Sequence, residues 1–191
     1  ITGKVVLVTG AGRGIGKGIA QVLAEAGADV AINALTPKFV TPLAAGIAAA
    51  SGRRVVPVIA DVTRGADVER AVGEVLAAFG RIDVLVNALG DSIRKPLVAL
   101  PGTPDAGTPI TDEDLHFIMD VNLTEALLCT RAVGRHMLAQ RSGKVINVAA
   151  WTAHQGGREM VLYTTAKTAL AGFTRAQALE WAAHGIQVNC I

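Results

Sequence analysis

The fold is decided by residues 4–16, which read KVVLVTGAGRGIG. The short apolar run Lys4–Thr9 predicts a strand buried on both faces, as the strands of a parallel sheet are. A helix is expected from about Gly14 to Ala26, with Gly27 just past its end in the position of a cap. Between them, a glycine-rich turn lets backbone N–H groups approach a pyrophosphate, and the start of the helix adds positive potential. A tight turn without a ligand is the alternative.

The rest of the chain alternates between apolar runs and amphipathic segments. Strands are predicted at Asp29–Ala34, Arg54–Ala60, Asp83–Asn87, Lys144–Ala149 and Gln187–Ile191. Helices are predicted at Phe39–Ser51, Asp67–Phe79, Tyr163–Ala183, and from a capping box at Thr111 and Asp114 to about Gln140. This alternation predicts an α/β fold, a doubly wound parallel sheet with helices on both faces. We expect a single domain, residues 1–191, that continues beyond Ile191 because the chain stops inside an apolar run.

Composition excludes several classes of function. Half of the residues are apolar (51%) and only 4% are aromatic, so the core should consist of Ala, Val, Leu and Ile. No apolar run approaches the roughly 18 residues that a membrane span needs. The formal charge is +2 and no stretch concentrates Lys or Arg, so no nucleic-acid partner is expected. Cys129 and Cys190 lack metal-like spacing and predict buried thiols of a reduced, cytoplasmic protein without a metal site.

A candidate pair for proton transfer lies near the carboxyl end. Tyr163, the one tyrosine of the chain, precedes Lys167 by four residues, so both side chains share one face if the segment is helical. Free tyrosine, with a pKa of about 10, is a slow acid–base catalyst near neutral pH. A neighbouring ammonium stabilises the phenolate and lowers that pKa. Alone, the spacing could also be an accident of an amphipathic helix.

The glycine spacing is Gly-x3-Gly-x-Gly, at Gly10, Gly14 and Gly16. With Thr9 before it, the motif resembles that of the short-chain dehydrogenase/reductase family, in the branch of the 3-oxoacyl-ACP reductases. The resemblance covers residues 3–191 and includes Asp61-Val62, Asn87 to Gly90, Val121-Asn122-Leu123 and Tyr163-x3-Lys167. One departure is Asn87-Ala88-Leu89-Gly90, where the family has Asn-Asn-Ala-Gly. The resemblance implies a Rossmann-type fold and hydride transfer between a nicotinamide cofactor and a carbonyl or alcohol substrate.

The resemblance also implies which residues hold the cofactor. They are Gly10, Gly12, Arg13, Gly14, Ile15, Gly16, Thr36, Asp61, Val62, Asn87, Gly90, Tyr163 and Lys167. An acid at the end of the second strand would hold a ribose 2′-OH, but residues 33–36 contain no carboxylate. Arg13 resembles the basic residue that faces a 2′-phosphate, and Thr36 could add a hydroxyl, so NADP(H) is favoured over NAD(H). Against this, Leu35 stands where an arginine is often found, and Arg13 could be a solvated loop charge.

The catalytic set implied by the family is incomplete. Tyr163 exchanges the proton, Lys167 also bonds the nicotinamide ribose, and Asn122 holds a water that links the lysine to solvent. The family's serine, thirteen residues before the tyrosine, is Ala150 here. Thr152 faces the same side along an extended chain and could replace it if the chain bends. Otherwise the enzyme works without that hydroxyl, or the protein is a catalytically impaired cofactor-binding or regulatory homologue. His154 is a further possible donor, although a loop histidine is more often solvated.

Two further expectations concern the substrate pocket and assembly. The Pro-rich loop from Asp91 to Ile110 lies beside the carboxyl ends of the strands, where ligands bind in such folds, so it either shapes the pocket or is a disordered excursion. The helices at 111–140 and 163–183 resemble those that pair subunits into homodimers or homotetramers. Leu127, Leu128, Leu170 and Phe173 could supply an apolar interface or belong to the core.

Overall fold

Six parallel strands form the centre of the molecule. The computed structural model describes residues 1–99 and 108–191. The strands are β1 (Val5–Val8), β2 (Asp29–Ala34), β3 (Val55–Ile59), β4 (Val84–Asn87), β5 (Gly143–Asn147) and β6 (Ile186–Cys190). Their order in the sheet is β3-β2-β1-β4-β5-β6, and all neighbouring pairs are parallel. From β1 the chain first builds the sheet toward β3 on one side and then, from β4, toward β6 on the other side. The boundary between β1 and β4 is therefore the topological switch point, where such sheets bind ligands in a crevice at the carboxyl ends of the strands.

Helices cover both faces of this sheet. They are α1 (Gly14–Glu25), α2 (Pro37–Ser51), α3 (Gly65–Phe79), α4 (Asp112–Met119), α5 (Glu125–Gln140), α6 (Thr152–Gln155) and α7 (Val161–Trp181). In β1, Val6 and Val8 pack with the apolar residues of α1 and α2, whereas Val5 and Leu7 pack with those of α3 and α5. Both faces of the strand are therefore buried, as its continuous apolar sequence predicts.

The segment predicted as one long helix, 111–140, is interrupted. Its capping box is present: Asp114 N–H donates to Thr111 Oγ1 (3.2 Å), and Thr111 N–H donates to Asp114 Oδ2 (3.0 Å). Between α4 and α5, residues Asp120–Thr124 form a π-helical turn. The Nδ2 group of Asn122 donates to Ile118 O (2.9 Å), four residues back. This side chain bonds a carbonyl that the α-helical backbone would use, which is a physical reason for the wider turn.

Other boundaries differ from the prediction by a few residues. Helix α2 begins at Pro37 and not at Phe39, because proline is well suited to the first turn of a helix. Strand β5 ends at Asn147 and not at Ala149. The short helix α6 was not predicted. Part of the Pro-rich loop, residues 100–107 with Pro101 and Pro104, lies outside the described residues.

The apolar residues considered for an interface differ in exposure, and Phe173 is half-buried. Leu170 is buried in the core, so it is not available to a partner. Leu128 packs against the core as well. Leu127 is 39% exposed, and Leu179 of α7, which the sequence did not single out, is 84% exposed. Of the two cysteines, Cys129 is buried, but Cys190 is only half-buried.

Strand β3 forms one edge of the sheet and carries Pro57 at its centre. Ala60 N–H donates to Ala34 O, and Val30 N–H donates to Arg54 O. The backbone N–H and C=O groups of the even-numbered residues of β3 therefore point toward β2. Those of the odd-numbered residues, including Pro57, point away from the sheet, so the missing N–H of Pro57 costs no hydrogen bond between strands. Among the described helices, none is both long and apolar enough to cross a membrane.

Candidate functional site

The glycine loop between β1 and α1 has no room for side chains at two of its positions. Gly10 has φ +60°, and a Cβ there would lie 2.7 Å from the Cα of Leu89, two residues after the end of β4. A Cβ at Gly16 would lie 2.6 Å from Gly10 O. Gly14, in contrast, has φ +57° and faces open space. The first N–H groups of α1 have no partner within the helix, and its first turn carries no acid, so the loop fits a bound pyrophosphate.

A cleft of about 250 Å³ opens over the carboxyl ends of β4 and β5. It brings together four of the predicted residues, which are Ile15 of the glycine loop, Gly90 after β4, and Tyr163 and Lys167 of α7. Its other lining residues are Ala88, Leu89, Asp91, Ser92, Val148 and Ala149. The ends of two strands and two separate helices therefore converge on a single cleft.

Tyr163 and Lys167 lie one helical turn apart on the face of α7 that borders the cleft. The Nζ of Lys167 lies 5.9 Å from the centre of the Tyr163 ring and donates to Val148 O (2.9 Å). Burial raises the pKa of Tyr163 above its ordinary value, whereas the sequence predicted a lowered one. Burial also lowers the pKa of Lys167, which is nearly inaccessible, although Glu125 and Cys190 oppose that shift. Burial is therefore the effect that sets the direction of the pKa of Tyr163.

Asn122 presents an unused acceptor beside this pair. Its Nδ2 donates to Asp91 O (2.8 Å) and Ile118 O (2.9 Å). Its Oδ1 is buried and has no hydrogen-bond partner among the described residues. A Cβ at Gly90 would lie 2.8 Å from this Oδ1 and 3.3 Å from Lys167 Nζ, so only glycine leaves the space between them open. A water molecule in that space could bond both groups.

Comparison with known proteins agrees with this geometry. Residues 4–191 match the sequence pattern of the family described as short chain dehydrogenase. The chain belongs to the short-chain dehydrogenase/reductase family. The 3-oxoacyl-[acyl-carrier-protein] reductase of Synechocystis sp. is 35% identical over 100% of this chain and 73% of its own length. The 2-dehydro-3-deoxy-D-gluconate 5-dehydrogenase of Bacillus subtilis is 36% identical over 100% of this chain and 70% of its own.

A solved structure confirms the Rossmann-type fold. The crystal structure of NAD⁺-bound xylitol dehydrogenase superposes with a TM-score of 0.90 at 31% identity, covering 99% of this chain and 69% of that one. As a short-chain dehydrogenase/reductase, the protein is an oxidoreductase that acts on CH–OH or C=O groups of small molecules with a nicotinamide cofactor, either NAD or NADP.

Ala150, at the position where the resemblance predicts a serine, is not among the residues that line the Tyr163 cleft. It lines a neighbouring cleft of about 330 Å³ with His154 and residues of β6. The chain is not extended after it, since Trp151 has helical backbone angles and Thr152 begins α6. Thr152 is buried, and its Oγ1 has no hydrogen-bond partner among the described residues. Neither residue lines the Tyr163 cleft, so the structure does not bring a hydroxyl there from this segment.

Three of the predicted cofactor residues have other contacts. Asn87 is buried, and its Nδ2 donates to Asn147 Oδ1 (2.8 Å) and Thr130 Oγ1 (3.1 Å), which ties β4 to β5 and α5. The side chain of Val62 packs in the core. Asp61 accepts from the N–H and hydroxyl of Thr63, which shapes the turn after β3. The side chain of Asn87 therefore stabilises the sheet and does not line the cleft.

The end of β2 borders the glycine loop. A Cβ at Gly12 would lie 3.1 Å from the Cβ of Ala34, so loop and strand are in close contact. Arg13 and Thr36 are both exposed, and Thr36 caps α2 without a side-chain hydrogen bond to it. Lys38, in the first turn of α2, is exposed as well, and its Nζ lies 5.3 Å from the centre of the Phe39 ring.

Sequence reasoning missed two residues near the site. Lys38 is a cation that follows β2 closely, and its position just after Thr36 could have marked it. Glu125 is an acid buried beneath the cleft. Helical spacing could have indicated its burial, because Glu125, Cys129 and Ala132 share one face of α5 and that face is buried.

Proposed function

We propose that the protein is an NADP(H)-dependent carbonyl reductase or alcohol dehydrogenase in which Tyr163 exchanges the proton with the substrate oxygen. The observation that carries this proposal is the meeting of Tyr163 and Lys167 in a cleft that the glycine loop borders through Ile15. A bound nicotinamide supplies or accepts the hydride at the substrate carbon. The substrate itself is a small carbonyl or alcohol compound.

The chain's own residues support the proton transfer. Burial favours the neutral phenol of Tyr163, so the phenol retains its proton until a substrate oxygen accepts it. As that proton leaves, the nearby ammonium of Lys167 stabilises the negative charge on the phenol oxygen. The free Oδ1 of Asn122 is positioned to hold a water that restores the proton from solvent. In this scheme Lys167 supplies the positive charge, Asn122 holds the water, and Gly90 leaves the space that the water needs.

The preference for NADP(H) is supported by charge at the end of β2. A 2′-phosphate carries negative charge, and residues 33–36 offer no carboxylate to repel it. Arg13, Thr36 and Lys38 are exposed on the loop and helix that meet there. The test is titration of NADPH and NADH: Arg13→Ala should weaken NADPH at least about tenfold and NADH far less. Lys144→Ala, an exposed cation at the opposite end of the sheet, is the control, and equal loss for both cofactors contradicts the preference.

Tyr163→Phe tests the proposed function directly. We expect turnover to fall at least about 10²-fold, because the acid–base group is lost, while NADPH affinity stays within about threefold. Thr165→Ala, at an exposed position on the same helix, serves as the control for changes in α7. Turnover in Tyr163→Phe that matches wild type would refute the role of the tyrosine.

A catalytically impaired cofactor-binding protein is the second candidate, and Ala150 is the observation that favours it. The hydroxyl that would orient the substrate oxygen is absent at this position. Thr152 remains the proposed substitute, because its hydroxyl is free of hydrogen bonds to described residues, but it needs a movement of α6 to reach the cleft. Intact Tyr163, Lys167 and Asn122 favour the enzyme.

We also propose that the Asp91–Ile110 loop shapes the substrate pocket. Asp91 and Ser92 line the cleft. Two contacts of Lys95 anchor the first part of the loop. The ammonium of Lys95 pairs with Asp114 of α4 (2.5 Å), and the backbone N–H of Lys95 donates to Glu159 O (3.0 Å), just before α7. These bonds support an ordered wall beside Tyr163.

A further inference from the structure

Asp91 places a carboxylate in the wall of the Tyr163 cleft, and the proposed proton transfer does not use it. Of the described residues that line this cleft, those with ionisable side chains are Asp91, Tyr163 and Lys167. Asp91 is exposed, and the ion pairs among the described residues do not include it. Because an exposed carboxyl group is ionised at neutral pH, the cleft carries a negative charge that no ion pair with a described residue neutralises.

Two hydrogen bonds restrict the position of Asp91. Its backbone oxygen accepts from Asn122 Nδ2 (2.8 Å), and its carboxylate oxygen Oδ1 accepts from Ser92 N–H (2.8 Å). The residue before it, Gly90, lies beside the ammonium of Lys167, since a Cβ there would be 3.3 Å from Lys167 Nζ. The carboxylate is therefore attached to the stretch of wall that lies next to Lys167.

The cleft lies where the nicotinamide end of the cofactor is expected. The glycine loop fits the pyrophosphate, and Ile15 of that loop lines the same cleft as Tyr163. A volume of about 250 Å³ corresponds to a cleft roughly 8 Å across, which is less than the Debye length of about 10 Å at 0.1 M salt. A charge on a ring bound there is therefore only partly screened from the carboxylate of Asp91.

The two forms of a nicotinamide cofactor differ in the charge of the ring. The oxidised ring carries one positive charge and the reduced ring is neutral, whereas the phosphates are the same in both forms. A nearby anion therefore favours the oxidised form, and a nearby cation favours the reduced form. Lys167 is such a cation, and Asp91 opposes it from the wall of the same cleft.

We propose that Asp91 determines which redox form of the cofactor the protein prefers: its carboxylate favours the oxidised nicotinamide over the reduced one. Binding of the two forms is linked to the hydride equilibrium on the protein, so tighter binding of the oxidised form makes the bound reduced form a stronger hydride donor. Asp91 thereby favours reduction of a carbonyl over oxidation of an alcohol within the complex. The position of the ring in this cleft rests on the proposed function, but the charge effect does not depend on the choice between NAD and NADP.

Asp91→Asn removes the charge and keeps the shape. Its amide oxygen can still accept from Ser92 N–H, and its backbone oxygen can still accept from Asn122. The measurement is calorimetric titration of the protein with NADP⁺ and with NADPH, which requires no substrate. In Asp91→Asn we expect the ratio of the dissociation constants, NADP⁺ over NADPH, to rise about threefold or more. NAD⁺ and NADH should show the same change, because the 2′-phosphate does not alter the charge of the ring.

The salt dependence of this ratio distinguishes a charge effect from a structural one. Both forms carry the same phosphates, so the salt dependence of phosphate binding cancels in the ratio. Near 1 M salt, where the Debye length is about 3 Å, the ratios of wild type and Asp91→Asn should approach each other. Asp91→Glu, which keeps the charge, should behave like the wild type. Glu25→Gln, which removes an exposed acid at the end of α1 far from the glycine loop, is the control and should leave the ratio unchanged.

The outcomes separate this proposal from the proposed function. A ratio that is equal in wild type and Asp91→Asn overturns the proposal, and so does a change that persists at high salt or appears equally in Glu25→Gln. A changed ratio in a protein whose Tyr163→Phe variant keeps full turnover supports the role of Asp91 and refutes only the role of Tyr163. An unchanged ratio together with an inactive Tyr163→Phe variant refutes only the role of Asp91.

Discussion

Ala150 is the residue at which the proposed catalytic set departs from the set that the family resemblance implies. Its methyl group offers no hydrogen bond to a substrate oxygen, and it lines the cleft next to that of Tyr163. Loss of one such donor typically reduces the rate by about 10²–10³. A functional enzyme of this sequence is therefore expected to be slow unless Thr152 moves.

Restoring the hydroxyl gives the first prediction. Ala150→Ser should raise kcat/KM for a reducible carbonyl compound at least about tenfold, because the added hydroxyl directly follows Ala149, which lines the Tyr163 cleft. The measurement is steady-state kinetics with NADPH, and Ala153→Ser, nearby in α6, is the matched control. Activity that is absent in both Ala150→Ser and the wild type favours the cofactor-binding protein.

The pairing of Tyr163 with Lys167 could be predicted from sequence because helical spacing alone decides which side chains share a face. The burial of Glu125 and the direction of the Tyr163 pKa could not. Both depend on how much of the sheet covers each group, which is a property of packing and not of the residue's neighbours along the chain.

At the level of elements, α5 and α7 approach each other closely at Gly134. A Cβ at this position would lie 2.2 Å from the ring atom Cη2 of Trp181, which is itself buried at the end of α7. The absence of a side chain at Gly134 thus allows the indole to pack on α5. Both helices border the site, since α5 begins with Glu125 and α7 carries Lys167.

Filling this contact gives the second prediction. Gly134→Ala should lower the free energy of unfolding by about 1–3 kcal/mol, because the buried indole must shift. Gly73→Ala, at an exposed position of α3 with nothing within 4 Å of the added Cβ, should instead be neutral or stabilising by up to about 1 kcal/mol. Urea unfolding of both variants provides the comparison, and equal stabilities would show that the indole adapts at no cost.

The strands and most helices followed from apolar periodicity, because a strand such as Val5–Val8 is buried on both faces and leaves a continuous apolar run. The π-helical turn at Asp120–Thr124 did not follow. It arises where the side chain of Asn122 bonds a backbone carbonyl, a competition that hydrophobic spacing does not record. Likewise, the turn into α6 after Ala150 carries no strong sequence signal.

At the scale of the whole molecule, stability depends on pH through Asp83, which joins β4 to β1. Its carboxylate accepts from Val5 N–H (2.9 Å) and pairs with Arg81 (2.6 Å). Burial alone would raise its pKa, but the hydrogen bonds from Arg81 and Val5 outweigh it, so the pKa lies below its usual value. A lowered pKa in the folded state means that the ionised acid stabilises the fold above the unfolded pKa.

The third prediction follows from this sign. Asp83→Asn should lower the free energy of unfolding by about 1–3 kcal/mol near neutral pH, because Val5 N–H and Arg81 lose a charged acceptor. The difference from wild type should shrink as pH falls below about 4 and through the folded pKa. Denaturant melts at several pH values measure it, and a difference independent of pH would exclude the ionised acid as the cause.

Assembly is the fourth prediction. We expect a homodimer or homotetramer at micromolar concentration through the exposed faces of α5 and α7, which carry Leu127 and Leu179. Leu127→Asp should produce smaller species in light scattering, because a charge is expensive in an apolar interface. Leu97→Asp, at a position that is more exposed than Leu127 (62% against 39%) and lies outside these helices, is the control. A monomeric wild-type protein rules the interface out.

Pro57 makes the β3 edge of the sheet a poorer template for pairing with a further strand. An outward N–H at the middle of β3 would offer a passing extended chain a place to bond, and proline removes that donor where the strand is exposed. An extended segment of a neighbouring molecule would therefore find a gap in the row of donors at the middle of this edge, which disfavours the pairing of two copies strand against strand.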